Sequence, residues 1–317
     1  MSFKLVILPP AETEPWEKRV RTVVPDAEVV VCTTQAAAAE AIADADAAFG
    51  TLPPELLARA TRLRWLQAPM AGPPAGWYYP ALVAHPVVVT NMRGIFNDHL
   101  ATHILAFVLA FARGLQVYLP QQQRREWRHG ATLLHLPETT ALLVGVGGIG
   151  GETARRLSAL GVRVLGVDPR LETKPEGLAE LHRPEALDNL LPHADFVILT
   201  APETPHTQGL FHRERLQRMR SSAYLINISR GALVRLDDLA AALTAGELAG
   251  AALDVYEQEP LPADHPLWTM PGVLLTPHMG GEGPYLGERR MEVLLENCRR
   301  FAAGERLHKV VDKTQWF

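Results

Sequence analysis

Three side chains in the C-terminal half carry types that could work on one small molecule: Arg230 in NISRGALV, Glu259 in ALDVYEQEP and His278 in LLTPHMGG. A guanidinium can grip a carboxylate through two parallel hydrogen bonds. An imidazole can give a proton to a carbonyl oxygen, or take one from a hydroxyl in the reverse direction. A carboxylate beside such a ring favours its protonated form. The reaction that needs all three is hydride transfer between a nicotinamide and the carbonyl carbon of a 2-oxo acid, with Arg230 as anchor, His278 as acid or base and Glu259 as its partner. Taken singly, each has a plainer reading: a surface strand cap, a solvated acid ahead of Pro260, and a loop histidine satisfied by backbone. What argues for chemistry is that all three follow short apolar runs, because ligands of open parallel sheets bind at the carboxyl ends of the strands.

The same lobe offers a place for a dinucleotide. Gly145, Gly147 and Gly150 stand as G-x-G-x-x-G in GVGGIG, directly after an apolar run and at the opening of a helical pattern. The first glycine suits a tight turn, the second lets a pyrophosphate approach the backbone, and the third lets helix and strand pack closely. The anion would then rest on free amides at the positive end of the helix. A bare glycine triplet can be an ordinary βα turn, but Asp168 lies eighteen residues beyond Gly150 at the end of the next run, where a carboxylate can accept from an adenosine ribose. Its charge disfavours the extra phosphate of NADP and points to NAD. Arg170 offsets part of that repulsion.

These residues need a scaffold, and the hydropathy pattern supplies one. Apolar runs at 4–8, 28–32, 45–49, 63–67 and 87–90 alternate with helical patterns such as 15–23 and 54–60. A second series follows at 141–146, 162–167, 196–201, 224–228, 251–255 and 273–276, with helices at 149–160 and 236–245 each closed by a glycine. This rhythm predicts an α/β protein of two doubly wound parallel-sheet lobes. Residues 97–119 read as one long helix linking the lobes, and 120–139 as a polar arm or loop. A last amphipathic helix, 285–304, runs back to the first lobe. The expected division is 97–283 for the cofactor lobe, with 1–96 and 284–317 forming the smaller one and the active site in the cleft between them.

Composition narrows the partners. With 317 residues and a net charge of -4, with no long run of either sign, the chain has room for two cores and no stripe for nucleic acid or a membrane surface. Two cysteines, Cys32 and Cys298, make no disulfide framework, so a reducing, cytoplasmic setting is expected. The start, MSFKLVILPP, is too short for a membrane span and reads as a first strand. His99 and His103 have a metal-compatible spacing without further ligand types beside them, and no metal is expected.

Three C-terminal motifs, together with GVGGIG, Asp168 and ILTAPETPHTQGL in the same order, closely resemble the D-isomer-specific 2-hydroxyacid dehydrogenases over nearly the whole chain. The resemblance implies a Rossmann NAD-binding domain inserted in a flavodoxin-like substrate domain. It implies catalytic roles for Arg230, Glu259 and His278, and cofactor contacts from Gly148, Ile149, Asp168, Pro202, Ile228, Ser229, Asp254 and Gly280 beside the glycine loop, Arg230 and His278. In WLQAPMAGPPAG it implies that Met70, Ala71 and Gly72 offer backbone amides to the substrate carboxylate. It also implies a homodimer through the cofactor lobes and a substrate such as glyoxylate or hydroxypyruvate. Two departures from the family pattern stand out: GPPAGWYY after that glycine, and Thr102 where the family usually carries Glu. The alternatives are a short-form 3-phosphoglycerate dehydrogenase, a dinucleotide-sensing interaction protein and, more remotely, formate oxidation.

Overall fold

The computed structural model describes residues 2–10, 15–74 and 76–315, and divides into two units: Met1–Ile95 with Pro284–Phe317, and Phe96–Gly283. In the first unit, β1 (Lys4–Ile7), β2 (Glu28–Val31), β3 (Ala47–Phe49), β4 (Trp65–Gln67) and β5 (Val88–Thr90) form a parallel sheet in the order β2-β1-β3-β4-β5. Helices α1 (Trp16–Val23), α2 (Gln35–Ala41), α3 (Pro54–Leu57) and α4 (Pro80–Ala84) connect them. This is the flavodoxin-like order, and its direction of winding reverses between β1 and β3. The central strands β3 and β4 are buried at every residue, as strands covered on both faces must be.

The second unit begins with α5 (Asn97–Ala112) and α6 (Leu115–Gln123). It continues through β6 (Thr140–Val144), α7 (Gly148–Ala159), β7 (Arg163–Val167), β8 (Glu180–His182), α8 (Leu187–Leu190) and β9 (Phe196–Leu199). Then come α9 (Arg213–Leu216), β10 (Tyr224–Asn227), α10 (Leu236–Thr244), β11 (Gly250–Leu253) and β12 (Val273–Leu275). Seven parallel strands line up as β12-β11-β10-β9-β6-β7-β8, which is the Rossmann order with β12 added at one edge. Period-two alternation splits each strand between two cores: Leu142, Val197 and Leu225 face one, and Leu143, Ile198 and Ile226 the other. On the second face Phe111 of α5 stacks on Tyr224 with ring centroids 4.2 Å apart.

Two features differ from the sequence expectation. The helix expected over 97–119 is two helices bent by 74°, because Gly114 adopts φ +70 between them. A side chain at Gly114 would also stand 2.4 Å from Ala131 Cβ. Strand β8 was not anticipated: its residues, Glu180, Leu181 and His182, form no apolar run. Among the described residues, no single helix is long and apolar enough to cross a membrane.

The closing helix α11 (Leu286–Ala303) belongs to the first unit, and a buried polar chain fastens it there. Trp65 Nε1 donates to Thr90 Oγ1 (2.8 Å), which donates to Gln67 Oε1 (2.7 Å). Asn297 Nδ2 donates to the same oxygen (2.9 Å), while Asn297 Oδ1 accepts from the His308 amide (2.8 Å). Gln67, Thr90 and Asn297 are fully buried, where an unsatisfied donor costs more than a satisfied one returns. Asn297→Leu is therefore expected to destabilise the protein by about 2–3 kcal/mol, read as a lower urea midpoint. An unmoved midpoint would show that the chain does not fasten the helix.

Candidate active site

The glycine loop follows β6. Gly145 has φ +94, and a Cβ there would meet Ala201 N at 2.6 Å beyond the neighbouring β9. A Cβ on Gly150 would lie 2.3 Å from Gly145 O, so helix and strand touch as only glycine allows. By contrast, a Cβ on Gly147 would meet only Arg170 Nη2, at 3.7 Å. That open side adjoins the amides of Gly148 and Ile149 that begin α7, a 12-residue helix with no side-chain cap. An anion fits such a cradle.

Asp168, 1% exposed, joins this loop to the end of β7. It accepts from Val146 N and Arg170 N, both at 2.9 Å, and its oxygens keep further acceptor sites for a ribose hydroxyl. The Arg170 guanidinium lies beside it, with Nε 3.5 Å from Oδ1. After β9, Pro202 is fixed in a turn whose Thr207 hydroxyl donates to its carbonyl at 2.7 Å.

The remaining groups come from β10, β11 and β12, which are successive neighbours in the sheet. Asn227 ends β10 fully buried. Its Oδ1 accepts from Ser229 N (3.1 Å) and Ser229 Oγ (2.9 Å), and its Nδ2 donates to Arg230 O (3.0 Å), so it shapes the turn from Ile228 to Arg230. The next residue, Gly231, presses against the turn after β11: a Cβ would stand 1.8 Å from Tyr256 O. Burial pulls the Arg230 pKa down, while the carboxylates of Glu203 and Glu259 push it back up.

Asp254, 1% exposed, accepts from Thr276 Oγ1 (2.6 Å), Met279 N (2.9 Å) and Gly280 N (2.8 Å), tying the end of β11 to the loop after β12. His103 of α5 adds a fourth neighbour, its Nε2 3.0 Å from Thr276 Oγ1 and 3.6 Å from Asp254 Oδ1. Burial pushes the pKa of that ring down against the pull of Asp254, which favours the neutral form. Glu259 Oε1 accepts from Tyr256 N (3.0 Å), and Oε2 lies 2.7 Å from His278 Nδ1. His278 holds φ +53, an uncommon conformation for a residue with a side chain, and Nε2 is the ring nitrogen left to meet a ligand.

The second unit thus gathers Ser229, Arg230, Asp254, Glu259, His278 and Gly280 at the carboxyl ends of adjacent strands. Met70, Ala71 and Gly72 belong to the first unit, in the loop after β4, where Met70 O accepts from Met92 N (3.1 Å) and Ala71 O from Asn91 Nδ2 (2.8 Å). Asn227, His103 and Glu203 are site neighbours that the sequence reading passed over. In the sequence His103 stands out only by its metal-compatible spacing from His99.

Residues 105–280 match the family model described as D-isomer specific 2-hydroxyacid dehydrogenase, NAD binding domain. A glyoxylate reductase of Thermofilum pendens is 34% identical over 239 residues, covering 74% of this chain and 70% of that protein. The solved D-isomer specific 2-hydroxyacid dehydrogenase of Xanthobacter autotrophicus Py2, in complex with NADPH and MES, is 29% identical with a TM-score of 0.86 over all of both chains. An NADPH-dependent glyoxylate/hydroxypyruvate reductase of Sinorhizobium meliloti, in complex with NADP and sulfate, is 25% identical with a TM-score of 0.86 over 99% of this chain and 100% of its own.

Gly150→Ala, which forces a methyl into Gly145 O, is expected to weaken NADH binding about tenfold or more, as overpacking of one to three kcal/mol implies. Fluorescence titration with NADH measures it, and an unaltered Kd would mean that the loop does not hold the dinucleotide.

Proposed function

The chain belongs to the D-isomer specific 2-hydroxyacid dehydrogenases, and on that premise we propose that it reduces a small 2-oxo acid, of the glyoxylate or hydroxypyruvate kind, to the corresponding 2-hydroxy acid, of D configuration where the product is chiral. The observation that carries this reading is the 2.7 Å contact between His278 Nδ1 and Glu259 Oε2 on the rim that also bears Arg230. The guanidinium of Arg230 takes the substrate carboxylate in a two-point grip and turns the carbonyl toward the cofactor. When bound, the dinucleotide supplies the hydride. His278 gives the Nε2 proton to the carbonyl oxygen, and Glu259 keeps the ring in place and steadies its positive charge before transfer. In the oxidising direction the neutral ring takes the proton back. Asp254 and the Gly280 amide border the place of the nicotinamide, and the amides of Met70, Ala71 and Gly72 are assigned to the substrate carboxylate.

NADH is the preferred cofactor in this reading, with NADPH accepted less well. Asp168 supports the preference by its charge, while Arg170 and the NADPH and NADP in the two related structures mark the opposing influence. A homodimer through the second unit is supported by apolar side chains standing in solvent around residues 120–139: Trp127 is 96% exposed, Leu119 50% and Leu133 49%. Two buried free thiols, Cys32 and Cys298, agree with a reducing, cytoplasmic setting.

His278→Ala is expected to lower kcat by about 10² to 10⁴-fold with NADH affinity nearly intact. Undiminished turnover would reject the assignment, and tight NADH binding without oxidation by any 2-oxo acid would favour a dinucleotide sensor. The same assay should give a higher kcat/KM with NADH than with NADPH; the reverse order would move the preference to NADPH. Sedimentation of the wild-type chain should show a dimer that Trp127→Ser with Leu119→Ser weakens, and a wild-type monomer would refute that assembly.

A further inference from the structure

Helix α5 presents Leu100, His103 and Phe107 on one face, as steps of three and four residues require. That face meets the loop after β12 at Gly280. A Cβ there would stand 3.0 Å from His103 Cδ2, 3.2 Å from Leu100 Cδ2 and 2.9 Å from Asp254 Oδ2. Phe107 packs at 71° to the imidazole with ring centroids 4.5 Å apart. The ring of His103 is thus packed against both Phe107 and the Gly280 backbone, in the second unit's own interior.

The hydrogen bonds decide which form of the ring this is. A threonine hydroxyl has a single proton to give. Thr276 gives it to Asp254 Oδ1 at 2.6 Å, since a carboxylate only accepts, so toward His103 Nε2, at 3.0 Å, the same oxygen accepts. Nε2 therefore carries a proton and is the donor. A cationic ring could make that bond too, 3.6 Å from Asp254 Oδ1, but burial outweighs the pull of the carboxylate and keeps the ring uncharged. His103 supports Thr276 without cancelling the charge of Asp254.

This bears on the cofactor because Asp254 borders the place given to the nicotinamide. An anion there favours the oxidised ring, which is positive, over the reduced ring, which is neutral. A cation on α5 would erase that preference. We propose that His103 is a positioning residue of the cofactor site: an uncharged donor that fixes Thr276 and Asp254 while leaving the carboxylate charge to act on the nicotinamide, and so sets the relative affinity for NAD+ and NADH. The proposal rests on the reductase reading, which puts Asp254 beside that ring.

The test is the ratio of the dissociation constants for NAD+ and NADH, from fluorescence titrations without substrate. His103→Gln places an amide donor near the position of Nε2 and should keep the wild-type ratio. His103→Lys supplies a donor with a charge and should weaken NAD+ relative to NADH by about tenfold, as one added charge near the carboxylate implies. A purely structural role would leave the ratio unmoved in His103→Lys, and that result overturns the proposal. Nitrogen-15 spectra of the dinucleotide-free protein, with the ring identified by the signal that His103→Gln removes, should show an uncharged imidazole protonated on Nε2 at neutral pH. A cationic ring, or one protonated on Nδ1 alone, also overturns it. Should His103→Lys fail to fold, the ring spectrum and the His103→Gln ratio decide. None of these readings needs turnover: if no 2-oxo acid oxidises NADH, the reductase reading fails and His103 is still judged by the ratio. A chain that binds neither dinucleotide overturns the cofactor site and the proposal with it.

Discussion

The contact between Glu259 Oε2 and His278 Nδ1 joins the loop after β11 to the loop after β12 and fixes the ring on which the proposed chemistry depends. To reach it, His278 adopts φ +53, a conformation of the kind that costs about 1–3 kcal/mol in a residue with a side chain. Asp254 holds the strained turn from behind by accepting the Met279 and Gly280 amides, and the Tyr256 amide fixes the other oxygen of Glu259. The ring is therefore oriented from both ends before any ligand arrives. In the proposed reaction this leaves a single nitrogen, Nε2, at which a proton can pass.

Parallel topology makes this concentration possible. Each of β6, β9, β10, β11 and β12 runs in the same direction, so every loop after them emerges at one edge of the sheet. Neighbouring strands are spaced by about 5 Å, which brings residues distant in sequence within hydrogen-bonding reach. Glycines set how closely the loops can approach. Gly145 and Gly150 close the turn onto α7, and Gly231 brings the Arg230 turn against Tyr256.

Much of this was legible in the sequence because it is local. The six strands of the second series lie where short apolar runs placed them, and the glycine spacing marked the start of α7. The two-lobe parallel architecture followed from the alternation itself. The rest depended on partners far apart in the chain. His103 meets Thr276 across 173 residues, and Asn297 meets Gln67 across 230, with no local pattern announcing either pair. The break at Gly114 was masked by apolar residues that continue the helical rhythm on both sides, although the glycine was visible.

The most direct measurement is single-turnover oxidation of bound NADH by glyoxylate in wild type and Glu259→Gln. The amide preserves shape but replaces the charged acceptor at Nδ1 with a neutral group. If the paired ring is the proton donor, the hydride-transfer step should slow by about tenfold or more while NADH remains as tightly bound. An unchanged rate of that step would contradict the account.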